Sequence, residues 1–222
     1  MKKNKEKAFV FDLDGTVVDT QTPVHAKAEC LALRECTGIE IEPSEISARF
    51  AGIPTRKVFE ELAPGADIDF LIKRKWEIID EIIQHTNMND LDLLASACLG
   101  LAKAQFPIAI ASASPMWYIQ IVLSRIDAPY PGFLNTFDYV VSAESVPSPK
   151  PAPDVFLDAA DNLRIEPKDC IVIGDGAADV TGGLAAGMSV LYFSQDESFD
   201  DNPKVTRFTD SDRLGKYLLS LV

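Results

Sequence analysis

Five short apolar runs punctuate the chain: AFVF at 8–11, PIAIA at 107–111, YVVS at 139–142, CIVIG at 170–174 and SVLYF at 189–193. A strand with one wet face alternates apolar and polar residues. A continuous apolar run of this length predicts a strand covered on both faces, as in a parallel sheet. Helical patterns separate most of the runs, so the order predicts an α/β fold with a doubly wound parallel sheet. TRF at 206–208 adds a short edge strand before a closing helix through Leu214, Leu218 and Leu219.

The first two runs are much further apart than one crossover helix requires. Residues 22 to about 90 read as helical throughout. Thr22-Pro23 reads as an N-cap followed by proline at the first helical position, and Gly38 as a stop. A second start falls near Ser44, Gly52 interrupts, and Pro54 opens a helix carrying Val58, Phe59 and Leu62. DFLIKRKWEIIDEIIQ follows, with Leu71, Ile72, Trp76, Ile79, Ile82 and Ile83 on one face. Lys73, Arg74 and Lys75 read as a solvated face of that helix. The pattern predicts a helical insertion standing over the carboxyl ends of the strands.

Composition adds limits. The chain has 222 residues, enough for one full core and a smaller module. A formal net charge of −13 argues against a nucleic-acid partner or an anionic membrane surface. Cys30, Cys36, Cys98 and Cys170 form no CxxC pair and are read as reduced thiols. The apolar run after MKKNKEK is too short for a signal peptide, and no run approaches a membrane span. The expectation is a cytoplasmic protein.

Ligands of an open parallel sheet sit beyond the carboxyl ends of its strands. Four strand candidates are followed there by polar residues suited to one task. After the first come Asp12, Leu13, Asp14, Gly15 and Thr16: two carboxylates two residues apart, then a glycine that permits a sharp turn. Acids so close repel one another, so a cation or a chemical step is needed to compensate. Ser112 ends the second run, and the amides of Ala113, Ser114 and the helix start can cradle an anion. Ser112 and Ser114 equally fit ordinary turn and N-cap roles. Lys150 lies among prolines at 147, 149, 151 and 153, as a surface charge or as a fixed charge for a phosphate. Asp175 and Asp179 follow the fourth run in IVIGDGAADV, where they fit helix-start acids or part of a site for a hard ion such as Mg²⁺.

Taken in order, DLDGTVVD, Ser112, Lys150 in KPAPD and GDGAAD resemble the four motifs of the haloacid dehalogenase superfamily, in its phosphatase branch with a helical cap. The resemblance runs from Phe9 to about Phe193. It implies a Rossmann-like core over 1–21 and 91–222 and a cap over 22–90. It further implies that Asp12 is the nucleophile forming an aspartyl-phosphate and that Asp14 is the general acid and base. Gly15, Thr16, Ser112, Ala113 and Lys150 would bind phosphate. Mg²⁺ would be held by Asp12, the Asp14 carbonyl, Asp175 and Asp179. The implied reaction is Mg²⁺-dependent hydrolysis of a small phosphorylated metabolite, of sugar-phosphate or phosphoglycolate type.

Asp14 argues against dehalogenase activity, and Gly174-Asp175 resembles the phosphatases more than the sugar-phosphate mutases. A phosphomutase of the β-phosphoglucomutase type remains an alternative, and a receiver-like signalling domain a remoter one. Gly176 replaces a serine or threonine of many relatives. In the cap, His25 resembles a linker histidine at an interval one residue longer, and Gly52 with Arg56 resembles a substrate-facing loop. A surface histidine and an exposed helix arginine are the competing readings.

Overall fold

The computed structural model describes residues 6–50, 53–126, 130, 132–195 and 197–222. Along the chain run β1 (Ala8–Phe11), a π-helical turn (Gln21–Ala26), α1 (Lys27–Thr37), α2 (Pro43–Arg49), α3 (Thr55–Leu62) and α4 (Ile68–His85). Then come α5 (Ala95–Lys103), β2 (Ile108–Ser112), α6 (Met116–Ile126), β3 (Tyr139–Ser142) and α7 (Asp154–Leu163). The chain continues through β4 (Cys170–Gly174), α8 (Ala177–Ala185), β5 (Ser189–Phe193), β6 (Val205–Phe208) and α9 (Ser211–Leu219).

All strand pairs are parallel, in the order β3-β2-β1-β4-β5-β6. This is the doubly wound Rossmann-like arrangement, and its order reverses between β1 and β4. A crevice therefore opens at the carboxyl ends of those two strands. The side-chain period of two divides each strand between two helical layers. Ala8 and Val10 of β1, with Ala109, Val172 and Val190, join a core containing Val155, Phe156 and Ala159 of α7 and Val180 of α8. Phe9 and Phe11 point the other way, where Phe9 meets Phe106 edge to face at 5.3 Å. On that side α5 and α9 pack on each other, α5 also on β2 and α9 on β5 and β6. Burial on both faces explains why these strands lack polar alternation. Cys170 lies in this interior, and burial pushes its thiol up to about 11. All four cysteines are free thiols.

Two compact units emerge, Met1–Val18 with Met88–Val222, and Asp19–Asn87. The second contains α1 to α4. Gly38 ends α1 in the left-handed region, φ 75°, as the sequence predicts. The start of the unit differs from prediction: Thr22 is not an N-cap, because residues 21–26 form a π-helical turn entered at Thr20. Such a turn absorbs one extra residue in a helix. The longer interval before His25 falls in this turn. The Thr22 hydroxyl instead pairs with Ser47 Oγ at 2.8 Å.

Lys75 also departs from prediction. It is buried at 3% exposure, where the sequence pattern suggests a solvated position. It stands four residues from both Leu71 and Ile79, so it lies on the buried stripe of α4. Its ammonium is 3.0 Å from Glu29 Oε1 of α1 and donates to Thr55 Oγ1 of α3 at 2.6 Å. Thr55 in turn donates to Glu29 Oε1 at 2.6 Å. Lys73 stays exposed, as predicted.

Candidate active site

The loop after β1 is built by one carbonyl. Leu13 C=O accepts the N–H groups of Thr16, Val17 and Val18, and Gly15 N–H donates to Val18 C=O at 2.6 Å. Gly15 has φ 90°, and a Cβ there would lie 2.3 Å from Asp175 Oδ2. Only glycine satisfies both the left-handed backbone and the close approach of the second acid. Asp12 N–H donates to Ile173 C=O at 2.8 Å, which ties the end of β1 to β4. The motifs of the first and fourth strands thus converge at the crevice.

Asp12, Asp175 and Asp179 each bring an oxygen within 4.8 Å of the others. Lys150 enters between them, with its ammonium 2.6 Å from Asp12 Oδ1 and 2.6 Å from Asp179 Oδ1. The lysine is therefore buried and paired with acids, not a solvated surface charge. Asp179 Oδ2 accepts the Gly176 N–H at 3.1 Å, which caps α8. A Cβ on Gly174 would lie 2.5 Å from Asp179 Cβ, so the glycine makes room for this acid.

The electrostatics follow from three acids around one cation. Burial, then the charges of Asp179, Asp175 and Asp14, holds the Asp12 carboxyl well above the usual carboxylate range, although Lys150 opposes this. Burial and Asp179 push Asp175 up to about 7, against the hydrogen bond from Thr16 and the pull of Lys150. Burial lowers the Lys150 ammonium, but Asp12 and Asp179 more than reverse it, so it stays charged.

Thr16 donates its hydroxyl to Asp175 Oδ1 at 3.0 Å, so in this structure it orients an acid. Ser112 is buried, and its Oγ accepts the Ser114 N–H at 3.0 Å. Ala113 is exposed between them. One amide at the start of α6, that of Met116, donates to Glu144 Oε2 at 3.2 Å and so already faces a carboxylate. The side chain of Asp14 accepts from Ser114 Oγ and from Tyr118 OH, both at 2.7 Å. Tyr118 escapes sequence reasoning because MWYIQIVL reads as an apolar helix face. Its hydroxyl partner lies 104 residues away in the chain.

A buried strand-end aspartate, a buried lysine and acids following two strands thus lie together, all within the span that a family model matches. A haloacid dehalogenase-like hydrolase model covers residues 6–187. The chain belongs to that family. It is 29% identical over 191 residues to the fructose-1-phosphate phosphatase YqaB of Escherichia coli strain K12, spanning 82% of this chain and 94% of that one. It is 31% identical over 191 residues to hexitol phosphatase A of the same strain, spanning 83% and 82%. A solved structure of a putative phosphoglycolate phosphatase from Lactobacillus plantarum superposes with TM-score 0.75 at 18% identity, over 98% of this chain and 100% of that one.

The haloacid dehalogenase-like core has a donor set suited to a hard cation. It offers oxygens from three acids against the single charge of Lys150, the kind of donor that a hard ion prefers. Asp12, Asp175 and Asp179 could hold such an ion. In the inserted unit, His25 packs edge to face on Trp76, ring centroids 5.8 Å apart. Arg56 is exposed and paired with Asp69, which already balances its charge. Gly52 lies outside the described residues. Among the described residues, no helix is long and apolar enough to cross a membrane.

Proposed function

We propose that the chain is a Mg²⁺-dependent phosphatase of small phosphorylated metabolites, of sugar-phosphate or phosphoglycolate type, working through an aspartyl-phosphate at Asp12. The observation that carries the reading is the placement of Asp12: a buried carboxylate at the end of β1, in contact with Lys150 and beside two further acids. The phosphatase names of the sugar-phosphate relatives support the substrate class.

Asp12 attacks phosphorus while the bond to the leaving oxygen breaks, and Asp14 gives that oxygen a proton. Water then attacks the phosphoryl group, Asp14 takes a proton from it, and the bond to Asp12 breaks. Lys150 attracts the phosphoryl oxygens and keeps Asp12 in line. Ser112 and the amide of Ala113 hold a further oxygen, and Gly15 and Thr16 shape the loop around Asp175. Mg²⁺, held by Asp12, the Asp14 carbonyl, Asp175 and Asp179, would reduce repulsion between the carboxylate and an anionic substrate.

Phosphate release from a panel of sugar phosphates and phosphoglycolate, with and without Mg²⁺, tests the reading with Asp12→Asn as the blank. Metal-dependent release above that blank supports it. Full activity in Asp12→Asn would end it. A phosphorylated Asp12 that resists water until a sugar phosphate is added would replace it with the mutase reading.

A further inference from the structure

We propose that Tyr118 is a positioning residue for the proton-transferring carboxyl of Asp14, acting through its buried hydroxyl. The proposal rests on the assignment of Asp14 as acid and base given above. Tyr118 is the third residue of α6 and is fully buried. A phenylalanine would fill the same space, so packing alone does not call for the hydroxyl. A buried O–H needs a partner, and this one donates to Asp14 Oδ1 at 2.7 Å.

Ser114 Oγ donates to the other oxygen, Oδ2, at 2.7 Å. The carboxyl is thus held at both ends by one strand-to-helix segment, and its plane and direction are fixed. That segment is itself anchored, since Ser142 Oγ donates to Ser114 C=O at 2.8 Å. Asp14 is not among the three clustered acids, Asp12, Asp175 and Asp179, although its charge is felt at Asp12. Both Asp14 carboxyl oxygens accept from hydroxyls.

The choice of hydroxyls suits a residue that gives up a proton and takes one back. A hydroxyl both donates and accepts, so one of the two can reverse when the carboxyl carries its proton. A lysine or an amide N–H could only donate. The tyrosine ring cannot drift, because it is packed on all sides. Its hydroxyl therefore determines where the proton of Asp14 is delivered.

Delivery matters only when the leaving oxygen needs a proton. In the first step Asp12 attacks phosphorus, the bond to the leaving oxygen breaks, and the proton moves from Asp14 to that oxygen. An alkoxide leaves poorly without it, whereas nitrophenolate leaves unaided.

The test compares kcat/KM of Tyr118→Phe on glycerol 3-phosphate or a sugar monophosphate with kcat/KM on p-nitrophenyl phosphate. Loss of one hydrogen bond to the acid predicts a fall of roughly 10-fold or more on the alkyl esters, and under about 3-fold on the aryl ester. Asp14→Asn should show the same split enlarged, on the order of 10²–10⁴-fold on the alkyl esters. Ser114→Ala should split in the same direction as Tyr118→Phe. Equal losses on both ester types in Tyr118→Phe, or no loss on either, would overturn the positioning role if Asp14→Asn still shows the split. Absence of the split in Asp14→Asn would instead remove the acid assignment itself, and the role of Tyr118 with it.

Discussion

Lys150 in the strand-bearing unit and Lys75 in the inserted helical unit both bury their side chains, to 5% and 4% exposure. Their surroundings differ in charge balance. Lys75 meets one carboxylate, Glu29, and Thr55 bridges the pair, so the cluster is neutral and closed. Lys150 meets Asp12 and Asp179 with Asp175 beside them, three acids to one cation. A balanced pair needs nothing further. A buried surplus of negative charge is costly without another cation, and it marks the place where chemistry is held ready.

Removing each lysine breaks the comparison most severely. Lys75→Met leaves Glu29 buried without its partner and should cost about 3–5 kcal/mol of stability. Added Mg²⁺ should restore none of it, whereas Lys75→Met with Glu29→Leu should recover most of the loss, since a packed apolar pair replaces a buried ion pair at little cost. Lys150→Met should also destabilise the metal-free protein, but there Mg²⁺ should recover a large part while turnover stays lost. Chemical denaturation of the unaltered protein and these three variants, with and without Mg²⁺, reads all of this. Equal rescue by Mg²⁺ at both sites would dissolve the distinction.

The two clusters were also unequally legible in the sequence. Asp12 announces itself at the end of an apolar run, Lys150 between two prolines, and Asp175 between two glycines with Asp179 four residues on, and glycine and proline have narrow backbone roles. Strand order then brings them together. Lys75 is written inside KRK, where charge density suggests solvent, and only the four-residue spacing to Leu71 and Ile79 places it inside. Its partners come from α1 and α3, and no local pattern encodes that meeting. Tyr118 is hidden for the same reason, as is the π-helical turn, which replaces the helix start expected at Thr22.

The surplus of acids has a pH signature that the balanced pair lacks. The folded values of Asp12 and Asp175 lie above the ordinary 3.8, Asp175 at about 7. In the metal-free protein their contribution to stability is therefore full below about pH 4. The Asp175 part is lost as pH rises toward and through about 7, and the Asp12 part also falls with rising pH, because the unfolded chain gives up those protons first. Mg²⁺ competes with the same protons. Its stabilisation should be small near pH 5 and grow toward pH 8, reaching about 2.7 kcal/mol at a hundredfold excess over Kd, or roughly 5–10 °C in Tm. Thermal melts across that range check it, and a shift that is flat or falls with pH would contradict the three-acid site.

Gly15→Ala probes the same cluster through its backbone. The left-handed φ alone should cost about 1–2 kcal/mol. The added methyl would stand 2.3 Å from Asp175 Oδ2, so the acid must move and the Mg²⁺-induced shift in Tm should shrink along with activity. Thermal melts with and without Mg²⁺ separate the two effects. A variant with lowered stability but an undiminished metal shift would mean that Asp175 does not hold the ion.

The smallest effect belongs to the balanced cluster. Thr55→Val keeps the size of the side chain and removes the hydroxyl that accepts from Lys75 and donates to Glu29. The ion pair remains at its own contact of 3.0 Å, so each charge keeps its main partner. The loss should be about 0.5–1.5 kcal/mol, the net worth of an ordinary hydrogen bond, because the two charges still satisfy each other. In the Lys75→Met, Glu29→Leu background the hydroxyl has no charge left to serve, and the same change should then be neutral or slightly stabilising. A double-mutant cycle built on urea denaturation measures that difference. An equal loss in both backgrounds would mean that Thr55 acts through α3 alone, and that Lys75 and Glu29 hold each other without it.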